Sequence, residues 1–140
     1  MSADLTGRRR ILVMDDDDRE RQETSRILGA AGYAVDTAAT KADVVTLLNQ
    51  HGYDLVLADL QMPELNGPAF YELLKKSCRT APPVIFRIQR GYTPLYANFL
   101  MRLAAPVLMK PAPAADLCVA VERQLPPRPT APQAASSLAS

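Results

Sequence analysis

The 140-residue sequence holds two cysteines, one histidine and six glycines, and it has no long apolar run. Cys78 and Cys118 make no disulfide framework in a chain of this size, and their spacing matches no metal motif. They read as reduced, small apolar residues of a cytoplasmic protein. Without an apolar stretch of about 20 residues, no transmembrane helix is expected. The run Ile11-Leu12-Val13-Met14 follows the basic triplet Arg8-Arg9-Arg10, but it is too short for a secretory signal and Asp15 cuts it off. Charge of one sign is lacking too. A net charge of +1 gives no electrostatic reason to expect nucleic acid or a membrane as the main partner. The arginine triplet reads as part of a solvated N-terminal arm over residues 1–9.

What is present is an ordinary globular composition, 48% hydrophobic and 22% charged, over a length that suits one domain. Ile11–Met14, Asp54–Ala58, Pro83–Ile88 and Pro106–Met109 are short apolar runs without alternation. That pattern predicts strands covered on both faces, as in a parallel sheet. Ala34–Ala38, after the Gly32-Tyr33 turn, is a weaker strand. Helical spacing lies between these runs. It covers Arg19–Ala30 with Asp18 as a cap, Lys41–Gln50 with Gly52 as a stop, Pro68–Ser77, Pro94–Leu103 and Ala114–Leu125. The lone histidine, His51, sits at a helix end, where it favours the dipole. Five strand–helix pairs predict an α/β fold: a five-stranded parallel sheet with helices on both faces and right-handed crossovers. The expected domain is residues 10–125. From Pro126 to the end, the Pro, Ala and Ser composition predicts a flexible tail over 126–140.

In such folds the site lies at the carboxyl ends of the strands. Three predicted strands end in charge there: the first runs into Asp15-Asp16-Asp17-Asp18, the third into Asp59, the fifth into Lys110. Crowded carboxylates need a counter-charge. Magnesium supplies it with oxygen ligands while keeping positions for water and phosphate. A lysine at the same edge holds an anionic oxygen as a point charge. Together these residues make a device for phosphoryl transfer onto a carboxylate.

The acidic cluster after Ile11–Met14, the segment Asp54–Pro63 (DLVLADLQMP), the turn Glu64-Leu65-Asn66-Gly67 and the pair Lys110-Pro111 resemble the response regulator receiver domains of two-component signalling. The resemblance runs from about Arg10 to Leu125 and implies a flavodoxin-like fold of receiver type. It implies Asp59 as phosphoacceptor and Asp16 as a Mg2+ ligand, with Asp15 assisting directly or through water. The backbone carbonyl of Gln61 completes the ligands, Lys110 pairs with the phosphoryl oxygens, and the Lys110–Pro111 peptide is cis. Asp17 and Asp18 are left as a polar turn and a helix cap. The implied partners are a histidine kinase or phosphotransfer protein and a downstream protein that the sequence does not identify. A second copy of the chain is a further candidate. No effector domain fits after Leu125, so output by protein contact, without direct binding to nucleic acid, is expected.

Two positions depart from the family pattern. The fourth strand usually ends in Thr or Ser followed by a small residue; here Ile88 and Gln89 stand there. An aromatic residue usually lies three positions before the lysine; here it is Val107. Arg87, Ile88 and Gln89 include no hydroxyl, and Thr93 lies too far into the loop. Arg90 is a candidate donor to the phosphoryl group. Arg87 is expected at the strand end, its head in water. Tyr92 and Tyr96 read as helix packing. Two readings stay open: a phosphorylated receiver whose signal leaves by another route, and a degenerate receiver that binds partners in one fixed state. An enzyme is not expected. A hydrolase of the haloacid dehalogenase type needs a second acid where Gln61 stands, and a nucleotide-binding loop needs glycines where four aspartates stand.

Overall fold

The computed structural model describes residues 7–89 and 96–125. The expectations placed on the 126–140 tail, on most of the 1–9 arm, and on Arg90, Tyr92 and Thr93 lie outside the described residues. Five parallel strands form the main sheet: β1 (Arg10–Met14), β2 (Ala34–Ala38), β3 (Leu55–Asp59), β6 (Val84–Gln89) and β7 (Val107–Lys110). Their spatial order is β2-β1-β3-β6-β7. Five helices connect and flank them: α1 (Asp18–Ala30), α2 (Lys41–Gln50), α3 (Gly67–Ser77), α4 (Ala97–Leu103) and α5 (Ala114–Gln124). Among the described residues no helix is long and apolar enough to cross a membrane.

The strands lack alternation because both of their faces are covered. Leu12, Met14, Val56, Ala58, Phe86 and Ile88 face one core with Val44, Phe70, Leu74 and Leu100, from α2, α3 and α4. Ile11, Val13, Leu55, Leu57 and Ile85 face the other with Leu28 of α1 and Leu117 and Val121 of α5. The period-two geometry of a strand sends neighbouring residues into different cores.

Several element ends differ from expectation for local reasons. Asp17, not Asp18, caps α1: its extended backbone lets the carboxylate accept from the Glu20 N–H at 3.1 Å. The next residue, Asp18, is helical and pairs with Arg21 one turn on, at 2.6 Å. Helix α2 ends on extended His51 rather than on Gly52. Only Ala97–Leu103 of the expected Pro94–Leu103 helix is helical among the described residues, and it closes on Ala104 in the left-handed region at φ 54°. Tyr96 packs against the α4-side core, as expected.

A two-stranded antiparallel hairpin, β4 (Gln61–Met62) with β5 (Leu65–Asn66), follows β3 and has no counterpart in the sequence reading. It leads into Gly67, where a Cβ would lie 2.5 Å from Leu60 Cδ1 and 3.3 Å from the Phe86 and Phe99 rings. Glycine is required there by close approach. Asn66 then caps α3, accepting from the Ala69 N–H at 3.0 Å.

Candidate functional site

Strands β1 and β3 are neighbours, and β7 lies one strand beyond, across β6. Lys110 crosses that gap. Its Nζ lies 2.8 Å from Asp15 Oδ2 and 3.0 Å from Asp59 Oδ2. The three side chains are buried, with exposures of 2% for Asp15, 3% for Asp59 and 8% for Lys110. Asp16 is exposed at the rim. Carboxylate oxygens of Asp15, Asp16 and Asp59 lie within 4.8 Å of one another. The Lys110–Pro111 peptide is cis.

Backbone groups fix the acids. The Asp17 N–H donates to Asp15 Oδ1 at 3.0 Å, and the Gln61 N–H donates to Asp59 Oδ1 at 3.2 Å. Arg21, one turn into α1, donates from Nη1 to the Asp15 carbonyl at 2.8 Å. Burial pushes the Asp15 carboxyl above the usual carboxylate range, against the opposing pull of Lys110 and the Asp17 amide. Burial pulls Lys110 down, but its bonds and charge contacts with Asp15 and Asp59 outweigh this and leave its pKa raised. The ammonium is therefore held charged.

The structure thus brings together Asp15, Asp16, Asp59 and Lys110, and it places Gln61 beside Asp59 through its amide. The three acids fit a hard divalent cation: their carboxylate oxygens lie close enough to share one ion, on an edge that keeps Asp16 open to water.

Arg87 corrects an expectation. It is not at a solvated strand end but 4% exposed, on the α1 side of the sheet. Its Nη1 donates to Thr24 Oγ1 at 3.5 Å and its Nη2 to the Met109 carbonyl at 3.3 Å. Glu20 Oε1 is 4.0 Å away. The strand end is wet only at Gln89, two residues later. Ile88, at the usual hydroxyl position, is buried in the α4-side core. Val107, at the usual aromatic position, is 40% exposed on the edge strand. Sequence reasoning missed Glu20, Thr24 and Arg21. Their helical spacing puts them on the N-terminal half of α1, but only the packing of α1 on β1 shows that this half borders the acids.

The model of the response regulator receiver domain matches residues 11–122. The chain is 32% identical over 93 residues to the sensor kinase CckA of Brucella abortus, covering 65% of this chain and 10% of that protein. It is 29% identical over 115 residues to the tetrathionate response regulatory protein TtrR of Salmonella typhimurium, covering 82% and 55%. It therefore spans between a tenth and about half of the length of these two relatives. The crystal structure of a receiver domain protein from Clostridium thermocellum superposes with a TM-score of 0.72 at 28% identity, covering 83% of this chain and 93% of that one. The Vibrio cholerae chemotaxis protein CheY4 shares the fold at a TM-score of 0.74 and 24% identity, covering 85% and 100%. With the five-stranded order and the acid edge already in place, the chain belongs to the response regulator receiver domains of two-component signalling.

Proposed function

We propose that Asp59 accepts a phosphoryl group from the phosphohistidine of a histidine kinase or phosphotransfer protein. The observation that carries this reading is the single ammonium of Lys110 shared between Asp15 and Asp59 at 2.8 and 3.0 Å. A carboxylate oxygen of Asp59 attacks phosphorus, a P–O bond forms, the P–N bond to the donor imidazole breaks, and the imidazole takes a proton. Asp15, Asp16, Asp59 and the Gln61 carbonyl would hold Mg2+, which supplies charge neutralisation for the phosphoryl oxygens. The buried Lys110 supplies a further fixed positive charge where the transferring group gains negative charge. The Gln61 amide, on Asp59 Oδ1, holds the acceptor carboxylate in one rotamer.

On this reading the domain is a phosphoryl acceptor for another protein. Its output is protein contact in the cytoplasm. The test is incubation with acetyl phosphate and Mg2+ followed by intact mass. One added phosphate that is absent from Asp59→Asn supports the reading; an unchanged mass in the wild type defeats it.

A second reading, a receiver that binds partners in one fixed state, is favoured by Ile88, which offers no hydroxyl and is packed in the core. Fluorine NMR with beryllofluoride, a phosphoryl mimic, separates the two. A bound signal in excess Mg2+ selects the phosphoacceptor, and none selects the fixed state.

A further inference from the structure

The buried polar residues among the described residues are Asp15, Thr24, Asp59, Arg87 and Lys110, and all belong to one neighbourhood. Lys110 pairs with the acids directly. Arg87 lies below, and phosphoryl acceptance as derived above makes no use of it. A buried guanidinium is expensive unless it is well paired. This one is poorly paired at close range: its contacts are at 3.3, 3.5 and 4.0 Å, and its Nε has no hydrogen-bond partner.

Longer-range charge offsets that only in part, and the net shift of the Arg87 pKa stays downward. Burial lowers the Arg87 pKa, while Glu20, Asp15 and Asp59 all act to raise it. Arg87 is the register partner of Asp59 across β3 and β6, and its carbonyl accepts from the Leu60 N–H at 2.9 Å. Its Nη2 holds the carbonyl of Met109, the residue before Lys110. The same residue thus stands in register with Asp59 and, through the Met109 carbonyl, steadies the strand end that carries the lysine.

We propose that Arg87 is a positioning residue of the phosphoacceptor pocket, a second fixed cation that biases it toward an anionic phosphoryl group and against a bare divalent ion. This rests on the reading of Asp59 as phosphoacceptor. Two charges of opposite sign are read by the same cation, so its removal has two effects of opposite direction. A role in packing alone would move both together or neither.

The experiment measures two constants for the wild type, Arg87→Met and Arg87→Lys: Mg2+ affinity by calorimetry, and beryllofluoride affinity by fluorine NMR at Mg2+ levels saturating for each protein. Arg87→Met is expected to bind beryllofluoride about fivefold more weakly and Mg2+ about 25-fold more tightly, because the Coulomb energy with one fixed cation doubles for a doubly charged ion. Arg87→Lys keeps the charge and is expected to stay within about twofold of wild type for Mg2+ on the same basis. Constants that shift together or not at all in Arg87→Met, or an Arg87→Lys protein that behaves like one without the charge, overturn the proposal. A wild type that takes up no beryllofluoride overturns the phosphoacceptor reading and this one with it.

Discussion

Strand β6 ends differently on its two faces. Toward α3 and α4 it presents Phe86 and Ile88, in one cluster with Phe70, Leu74 and Leu100. Phe86 meets Phe99 edge-on at 5.5 Å, and Phe99 meets Tyr71 at 6.3 Å. Toward α1 it presents Ile85 and then Arg87, whose head lies among Thr24, Glu20 and the Met109 carbonyl. One face is closed by apolar packing and the other by a thinly satisfied charge. The polar contacts of this strand among the described residues therefore lie on the α1 side. On the α4 side, where the family usually places a hydroxyl and a ring, the described residues of β6 that enter the core are apolar.

Four substitutions break or sharpen this contrast. Phe86→Ala removes a fully buried ring from the apolar face, and urea unfolding should show a loss of about 3–5 kcal/mol. Gly67→Ala pushes a methyl onto Leu60 and the same two rings. It should cost about 1–3 kcal/mol by the same measurement, because packed aromatic neighbours yield little. Ile88→Thr places a hydroxyl at the buried strand end. It should cost about 1–2 kcal/mol through lost apolar burial and a hydroxyl in need of a partner, yet leave the domain folded. The same variant should lengthen the phosphorylated lifetime, read as slower decay on acid gels. Decay equal to wild type would mean that the α4 side does not touch the phosphoryl group at all.

The smallest effect is expected next door to the largest. Arg87→Met exchanges a poorly paired buried cation for an apolar chain of similar length, so stability should stay within about 1 kcal/mol of wild type. A loss as large as that of Phe86→Ala would show that the charged face contributes as much to stability as the apolar one.

Most of this architecture was legible in the residues. Short unalternated runs marked the strands, and Asp15, Asp59 and Lys110 marked one edge of the sheet, because parallel strands share a carboxyl end. The destination of Arg87 was not legible for the same physical reason. A strand buried on both faces carries no alternation, so VIFRIQ does not say which core its arginine enters or whether water reaches it. The cap of α1 was off by one because four successive aspartates offer equivalent side chains. Only the extended backbone at Asp17 distinguishes them. The β4–β5 hairpin was missed because two-residue strands are too short to show a period.

That hairpin has a mechanical consequence. The Gly67 N–H donates to the Leu60 carbonyl at 2.8 Å and the Leu60 N–H donates to the Arg87 carbonyl at 2.9 Å. The peptide chain leaving Asp59 is thus buckled back onto its own start before α3 begins. Opening the buckle frees the Gly67 amide while the Leu60 amide stays bonded to β6, so in deuterium exchange Gly67 should exchange before Leu60.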